Sequence, residues 1–242
     1  VINFKTDSLA KVQKTSVKTL CALAFRRSWR KFALMEEKPK YALYIHGLGS
    51  GAKSGTSTAF KRYFPEYEWL CPEVNEDIWK SIAKIEEWIE VFRPQLIAGT
   101  SMGGFLTAYA AIPEGLSTIK IVCNATISIE HTLRKVGYGK HTFFCEREDG
   151  RTEYVIDETV VRKFTAFKQE RSIAPAQINI GVYSKDDELV GQVESRKNAK
   201  LLEEAGFTIY WSDKFGHRMN ENVAKKIPAW LKEQQNNCPP GR

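Results

Sequence analysis

The run Gly99-Thr100-Ser101-Met102-Gly103-Gly104 sets a serine between glycines two residues away on either side. An apolar run, 95–99, leads into it, and small and apolar residues, 102–112, lead away. The spacing predicts a sharp turn from a strand into a helix, with the hydroxyl held clear of the backbone. A hydroxyl held that way can attack an acyl carbon. Larger side chains at the glycine positions would collide with neighbouring elements. The helix starting at Met102 would aim its dipole and its free N–H groups at the developing oxyanion.

A serine needs a base, and the base needs an orienting acceptor. Phe215-Gly216-His217-Arg218 follows the last apolar run, so His217 is the expected general base. The acid is expected in Tyr183-Ser184-Lys185-Asp186-Asp187-Glu188-Leu189-Val190, which follows another apolar run. Asp187 is favoured over Asp186 because Val190 can anchor its loop into the core. Asp213 is too close in sequence to His217 to orient it. His46-Gly47-Leu48-Gly49-Ser50 follows the first apolar run and can supply a second oxyanion donor. The N–H groups of Leu48 and Met102 are the expected pair. His46 is expected to hold its loop by hydrogen bonding, and it is also kept as a candidate substrate contact. The run 50–56 has some composition of a phosphate loop, but its lysine precedes the second glycine, so nucleotide binding is not expected.

These groups need elements to carry them. Strands are expected at 41–45, 68–71, 95–99, 119–123, 178–183 and 207–211, and helices at 77–92, 102–112, 193–205 and 222–231. In the 77–92 helix, Ile78, Ile82, Ile85, Ile89 and Phe92 share one face. This alternation predicts an α/β layer fold with a mostly parallel central sheet flanked by helices. About fifty residues, 124–176, break the rhythm. A Glu148-Asp149-Gly150-Arg151 turn there separates two β-prone runs, which predicts a hairpin flanked by helices and a small cap over the serine. Phe143 and Phe144 of this insert are candidate substrate contacts, while His131 and His141 are expected at the surface or on the substrate side.

The formal charge of +7 is unevenly spread. Residues 1–34 hold eight of the 36 Lys and Arg but one of the 29 acids, so the rest of the chain carries 28 of each. A neutral body has no electrostatic footprint for nucleic acid. Residues 1–36 are expected to be a basic extension without catalytic role, the rival being an amphipathic helix that touches anionic membrane or docks through Trp29 and Phe32. The catalytic domain is expected over 37–236, and 237–242 form a tail. No apolar run approaches the roughly 18–20 residues that span a bilayer, so no stable membrane anchoring is expected. Five cysteines, none at metal-ligand or redox spacing and none in a turn motif, predict free thiols in a reducing cytoplasm.

The segments YIHGLGSGAKSGT, GTSMGG, KDDELV and GHRMNENV, with the CEREDGRTEYV run of the insert, resemble the small bacterial α/β-hydrolases of the YqiA type over roughly residues 41–232. Ala125 is a departure, since that family often has proline there. The resemblance implies an intracellular carboxylic-ester hydrolase with Ser101, Asp187 and His217 as its triad and a preference for short acyl chains. The expected partner is a small acyl ester, with no metal or organic cofactor. An acyl-CoA thioesterase would use the same triad, with Arg134, Lys135, Lys140 and Arg147 to meet a phosphate-bearing carrier. A catalytically silent binding protein of the same fold is the remaining alternative.

Overall fold

The computed structural model describes residues 39–213 and 215–237; the expected basic extension and most of the tail lie outside them. Strands β1 (Tyr41–Ile45), β2 (Glu68–Leu70), β3 (Leu96–Thr100), β4 (Ile119–Cys123), β7 (Ile178–Ser184) and β8 (Thr208–Ser212) form one sheet in the order β2-β1-β3-β4-β7-β8. Every neighbouring pair is parallel. Parallel strands need crossovers, and these are helices α1 (Gly55–Tyr63), α2 (Ile78–Phe92), α3 (Met102–Tyr109) and α6 (Gln192–Glu204), followed after β8 by α7 (Glu221–Ala224) and α8 (Ile227–Asn237).

Apolar alternation along the strands builds two cores. Leu43, Ile45, Ile97, Val122 and Tyr183 pack on one face with Ile78, Ile82, Ile85, Ile89 and Phe105. Ala42, Tyr44, Ala98, Ile121 and Val182 pack on the other with Phe60, Val223 and Ile227. Both faces of the central strands are therefore dry, as an all-parallel sheet requires. Helix α2 starts where the Asp77 carboxylate accepts the Lys80 N–H, and it stops at Arg93 in the left-handed region, one residue before Pro94.

The structure departs from the sequence reading in three places. Helix α1 occupies residues read as loop. Its start is set by Ser54, whose hydroxyl accepts the Ser57 N–H, and its apolar face is little more than Ala59 and Phe60. The helix expected over 102–112 ends at Tyr109, because the buried Lys120 ammonium takes the Ala110 carbonyl at 2.6 Å, together with that of Ala174. The single helix expected over 222–231 is two. Pro228 has no N–H to donate to the Ala224 carbonyl, so the ladder breaks there.

The insert is helix α4 (Ile129–Val136), hairpin strands β5 (Gly139–Thr142) and β6 (Glu153–Ile156), and helix α5 (Glu158–Glu170). The hairpin is antiparallel with Gly139 opposite Ile156. Ion pairs from Lys163 to Asp77 and from Arg151 to Glu76 join the insert to the start of α2. Cys71, Cys123 and Cys145 are free thiols. Among the described residues, no helix is long and apolar enough to cross a membrane.

Helix α3 crosses the end of β1 so closely that a Cβ on Gly103 would lie 2.0 Å from the Ile45 carbonyl oxygen. That oxygen belongs to backbone and cannot step aside. Gly103→Ala is expected to yield no folded protein. By contrast, Gly55 opens α1 with nothing within 4 Å of an added Cβ, so Gly55→Ala should raise stability by about 0.5 kcal/mol. Urea unfolding of the two variants beside the parent checks both.

Candidate active site

The carboxyl ends of β1, β3, β4, β7 and β8 lie on one edge of the sheet, and each leads into a loop carrying polar groups. This edge is where open α/β sheets bind ligands. After β3, Ser101 takes φ 54° and ψ −121°, a left-handed conformation that costs a non-glycine residue about 1–3 kcal/mol. Its N–H donates to the Cys123 carbonyl at 3.0 Å and its carbonyl accepts from Phe105, so the strained turn is pinned on both sides. Gly99 is required as well, since a Cβ there would lie 2.2 Å from the Gly103 carbonyl oxygen.

The Ser101 Oγ lies 2.8 Å from Nε2 of His217, and Nδ1 of His217 lies 2.9 Å from Oδ2 of Asp187. A carboxylate can only accept, so Nδ1 carries the proton and the Nε2 lone pair faces the serine hydroxyl. The other oxygen of Asp187 accepts the N–H groups of Leu189 and Val190, which fixes the buried carboxylate against rotation. Asp186 is exposed beside it, and Asp213 is exposed and paired with Lys185. Of the three acids considered from sequence, Asp187 is the one that meets His217.

Two residues unread in the sequence hold the histidine loop. Asn124, at the end of β4 with φ 45°, donates from Nδ2 to the carbonyls of Gly216 and His217, while its Oδ1 accepts the Ser184 N–H. Glu188 accepts the His217 N–H at 2.7 Å. Their only sequence signal is position, each just beyond a strand. Leu48 lines the cavity over Ser101, and Met102 is the first residue of α3. Among the described residues, no backbone acceptor takes the N–H of either one. Both are therefore free for an oxyanion.

His46 is not at the cavity. It is 1% exposed, with Nδ1 2.9 Å from the Gly47 carbonyl oxygen and Nε2 3.1 Å from the Val74 nitrogen. Its Nε2 also lies 2.9 Å from Oε2 of Glu73, which sits 3.0 Å from Nη1 of the fully buried Arg147. The candidate substrate contact is thus a loop support, because its two ring nitrogens face inward. Arg147 also donates to the Ser50 carbonyl at 2.9 Å and pairs with Asp149. Phe143 is no cavity wall either. It is 9% exposed, packed on Tyr154 and under the Arg147 guanidinium. Phe144 does line the cavity, 66% exposed with the Arg218 guanidinium over its ring. His141 stacks on Tyr154, and His131 is exposed. The cavity holds about 790 Å³, within the range that takes a small organic molecule.

Burial by itself would raise the Glu73 carboxyl. The His46 ring and the N–H groups of Ala52 and Glu148 outweigh it and hold the group below the ordinary carboxylate range. A carboxyl depressed in the native state contributes stability that is complete above its unfolded pKa, about 4.3, and is lost as pH falls through the lower native value. Glu73→Gln would also leave Arg147 with Asp149 as its one counter-charge. It should cost about 3 kcal/mol at pH 7, and the gap to the parent should narrow below about pH 4. Urea denaturation at both pH values measures it.

No protein-family model matches the chain, and no curated protein matches it in sequence. Solved structures do match in fold. Est1E from Butyrivibrio proteoclasticus is similar at TM-score 0.60 and 17% identity, over 84% of this chain and 90% of that one. The alpha/beta hydrolase domain-containing protein 10 from mouse is similar at 0.58 and 14%, over 84% and 92%. The monoacylglycerol lipase of Paleococcus ferrophilus is similar at 0.58 and 13%, over 81% and 95%. With its six-stranded parallel sheet and flanking helices, this chain has the α/β-hydrolase fold.

Proposed function

We propose that this chain is a serine hydrolase that cleaves carboxylic esters through an acyl-enzyme. The observation that carries the reading is the unbroken hydrogen-bond chain from Ser101 through His217 to Asp187 at the floor of an open cavity. His217 removes the hydroxyl proton as Ser101 Oγ bonds to the ester carbon. The carbonyl oxygen takes the negative charge and meets the Leu48 and Met102 N–H groups. When the tetrahedral species collapses, His217 Nε2–H protonates the leaving alcohol. A water then attacks the acyl-enzyme, gives its proton to His217, and the serine leaves with that proton. All charge changes occur on groups that are already paired, so no other proton carrier is needed.

The assignment to the YqiA type, the preference for short acyl chains and a cytoplasmic setting belong to the same proposal. The insert sequence supports the first. The cap supports the second, because Leu133 and Val136 of α4 and Phe144 line the cavity. The free thiols Cys71, Cys123 and Cys145 fit the third.

A fluorophosphonate probe should label the parent and not Ser101→Ala, and Ser101→Ala should fold while losing ester hydrolysis by several orders of magnitude. Asp187→Asn should lower kcat by orders of magnitude, with Asp186→Asn near the parent; a reversed order would move the acid to Asp186. Parent-like turnover by Ser101→Ala would remove the reading altogether. The two cap phenylalanines should also separate. Phe144→Ala should shift the preferred acyl length at little cost in stability, whereas Phe143→Ala should cost about 3 kcal/mol of stability. A chain-length panel and urea unfolding of both variants give the answer.

A further inference from the structure

The cavity over Ser101 is lined by three cations, Lys53, Lys135 and Arg218, and one carboxylate, Glu188. Glu188 is engaged, since its Oε2 accepts the His217 N–H. Among the described residues, none of the three cations has a carboxylate partner, and Arg218 only covers the Phe144 ring. Elsewhere on the cap Lys140 pairs with Glu153, Arg151 with Glu76, Lys163 with Asp77 and Lys168 with Glu130, while Arg134 and Arg162 have no carboxylate partner among the described residues. The body of the chain has equal numbers of acids and bases, so the surplus at the cavity is local.

Two further features lie at the same cavity. Helix α1 starts there, with Ser54, Gly55 and Thr56 in the wall and no acid in its first turn, so its N–H groups add positive potential. Thr132 of α4 also lines it, 5% exposed.

We infer that the ester cleaved here carries an anionic group, a carboxylate or a phosphate, which the unpaired Lys53, Lys135 and Arg218 bind within the Ser101 cavity. This rests on the ester-hydrolase reading and narrows its substrate class. Three of the four cap residues that sequence suggested for an anionic carrier do not serve: Arg134 does not line the cavity, Arg147 is buried on Glu73 and Lys140 is held by Glu153. Lys135 does, and Lys53 and Arg218 join it from the body. The anion sets which ester enters and in which direction; the bond chemistry at Ser101 is unchanged.

The test uses matched esters. On the acyl side, the 4-nitrophenyl esters of glutaric acid and of 4-phosphonobutanoic acid are compared with that of the neutral glutaric half-amide. On the alcohol side, 3-carboxyphenyl acetate is compared with 3-carbamoylphenyl acetate. In at least one set the charged ester should have a kcat/KM about tenfold above its neutral partner at low salt, the ratio falling towards one by about 0.5 M NaCl. Lys53→Gln, Lys135→Gln and Arg218→Gln should each lower the charged-to-neutral ratio. The carboxylate and phosphonate arms tell which anion is preferred. Equal or lower kcat/KM for the charged ester in both sets overturns the inference. Fluorophosphonate labelling of the same protein separates the two failures. If Ser101 is labelled and no preference appears, the anion reading falls and the hydrolase reading stands. If Ser101 is not labelled, binding of the unreactive 4-nitroanilides of the same acids decides: a charged anilide bound no tighter than its half-amide overturns the inference, and one bound about tenfold tighter upholds it.

Discussion

Everything at this site depends on one steric constraint, the close crossing of β1, β3 and α3 around Ser101. The serine can stand clear of the sheet only because α3 begins at once after β3, and α3 can begin there only because Gly99 and Gly103 let backbone touch backbone. The φ of 54° at Ser101 is the residual strain of that turn. It persists because β3 is buried on both faces and hydrogen-bonded to β1 and β4 along its length. The turn also fixes the Met102 N–H beside the serine, so the hydroxyl and the first of the two proposed oxyanion donors come from one piece of backbone. A looser turn would lose both together.

The other proposed donor depends on a different interaction. Leu48 sits half-buried against the core in a glycine-flanked loop, and buried charge also supports that loop. His46, Glu73 and Arg147 meet beneath the loop, and Arg147 reaches up to the Ser50 carbonyl. The cap adds a backbone bond from the Phe144 N–H to the Gly49 carbonyl at 2.7 Å. Cap hairpin and Leu48 loop are therefore one mechanical unit. Displacing the hairpin would break the Gly49 bond and uncover an arginine whose charge is matched only where it lies. Buried ion pairs are poor sources of stability compared with apolar packing, and their better attested use is to fix a register. That use fits a loop held in one register.

How much of this the sequence reveals depends on whether a feature is local. The strand–serine–helix turn, the isoleucine stripe of α2 and the choice of Asp187 are written within fifteen residues or fewer, and each is legible. So is the insert hairpin, through its Asp149-Gly150 turn. Helix α1 is not, because its apolar face is two residues wide and a serine cap looks like loop chemistry. Arg147 reads as a surface cation because its partner Glu73 is 74 positions away and nothing near either residue marks it as buried. His46 reads as a possible substrate contact for the same reason. Asn124 has no motif at all. Its role comes from β4 and β8 ending on one edge of the sheet, which brings its amide to the carbonyls of Gly216 and His217.

Neighbours at 13–17% identity share the sheet and crossing helices, while little of the sequence is kept. Ser101, Asp187 and His217 hang from strand ends, where backbone geometry leaves few choices of residue. Other side chains on the cavity wall hang from α1, the cap and the loop after β8, where a side chain can change without moving Ser101. Cations in these segments differ in their surroundings. Where they brace structure, as at Arg147, Arg151 and Lys163, each has a carboxylate. Where they face the cavity, as at Lys53, Lys135 and Arg218, they have none. An unpaired charge in the open costs nothing in folding, because water solvates it. Three of them around one cavity cost folding little, and what they add there is a positive potential where a ligand would enter.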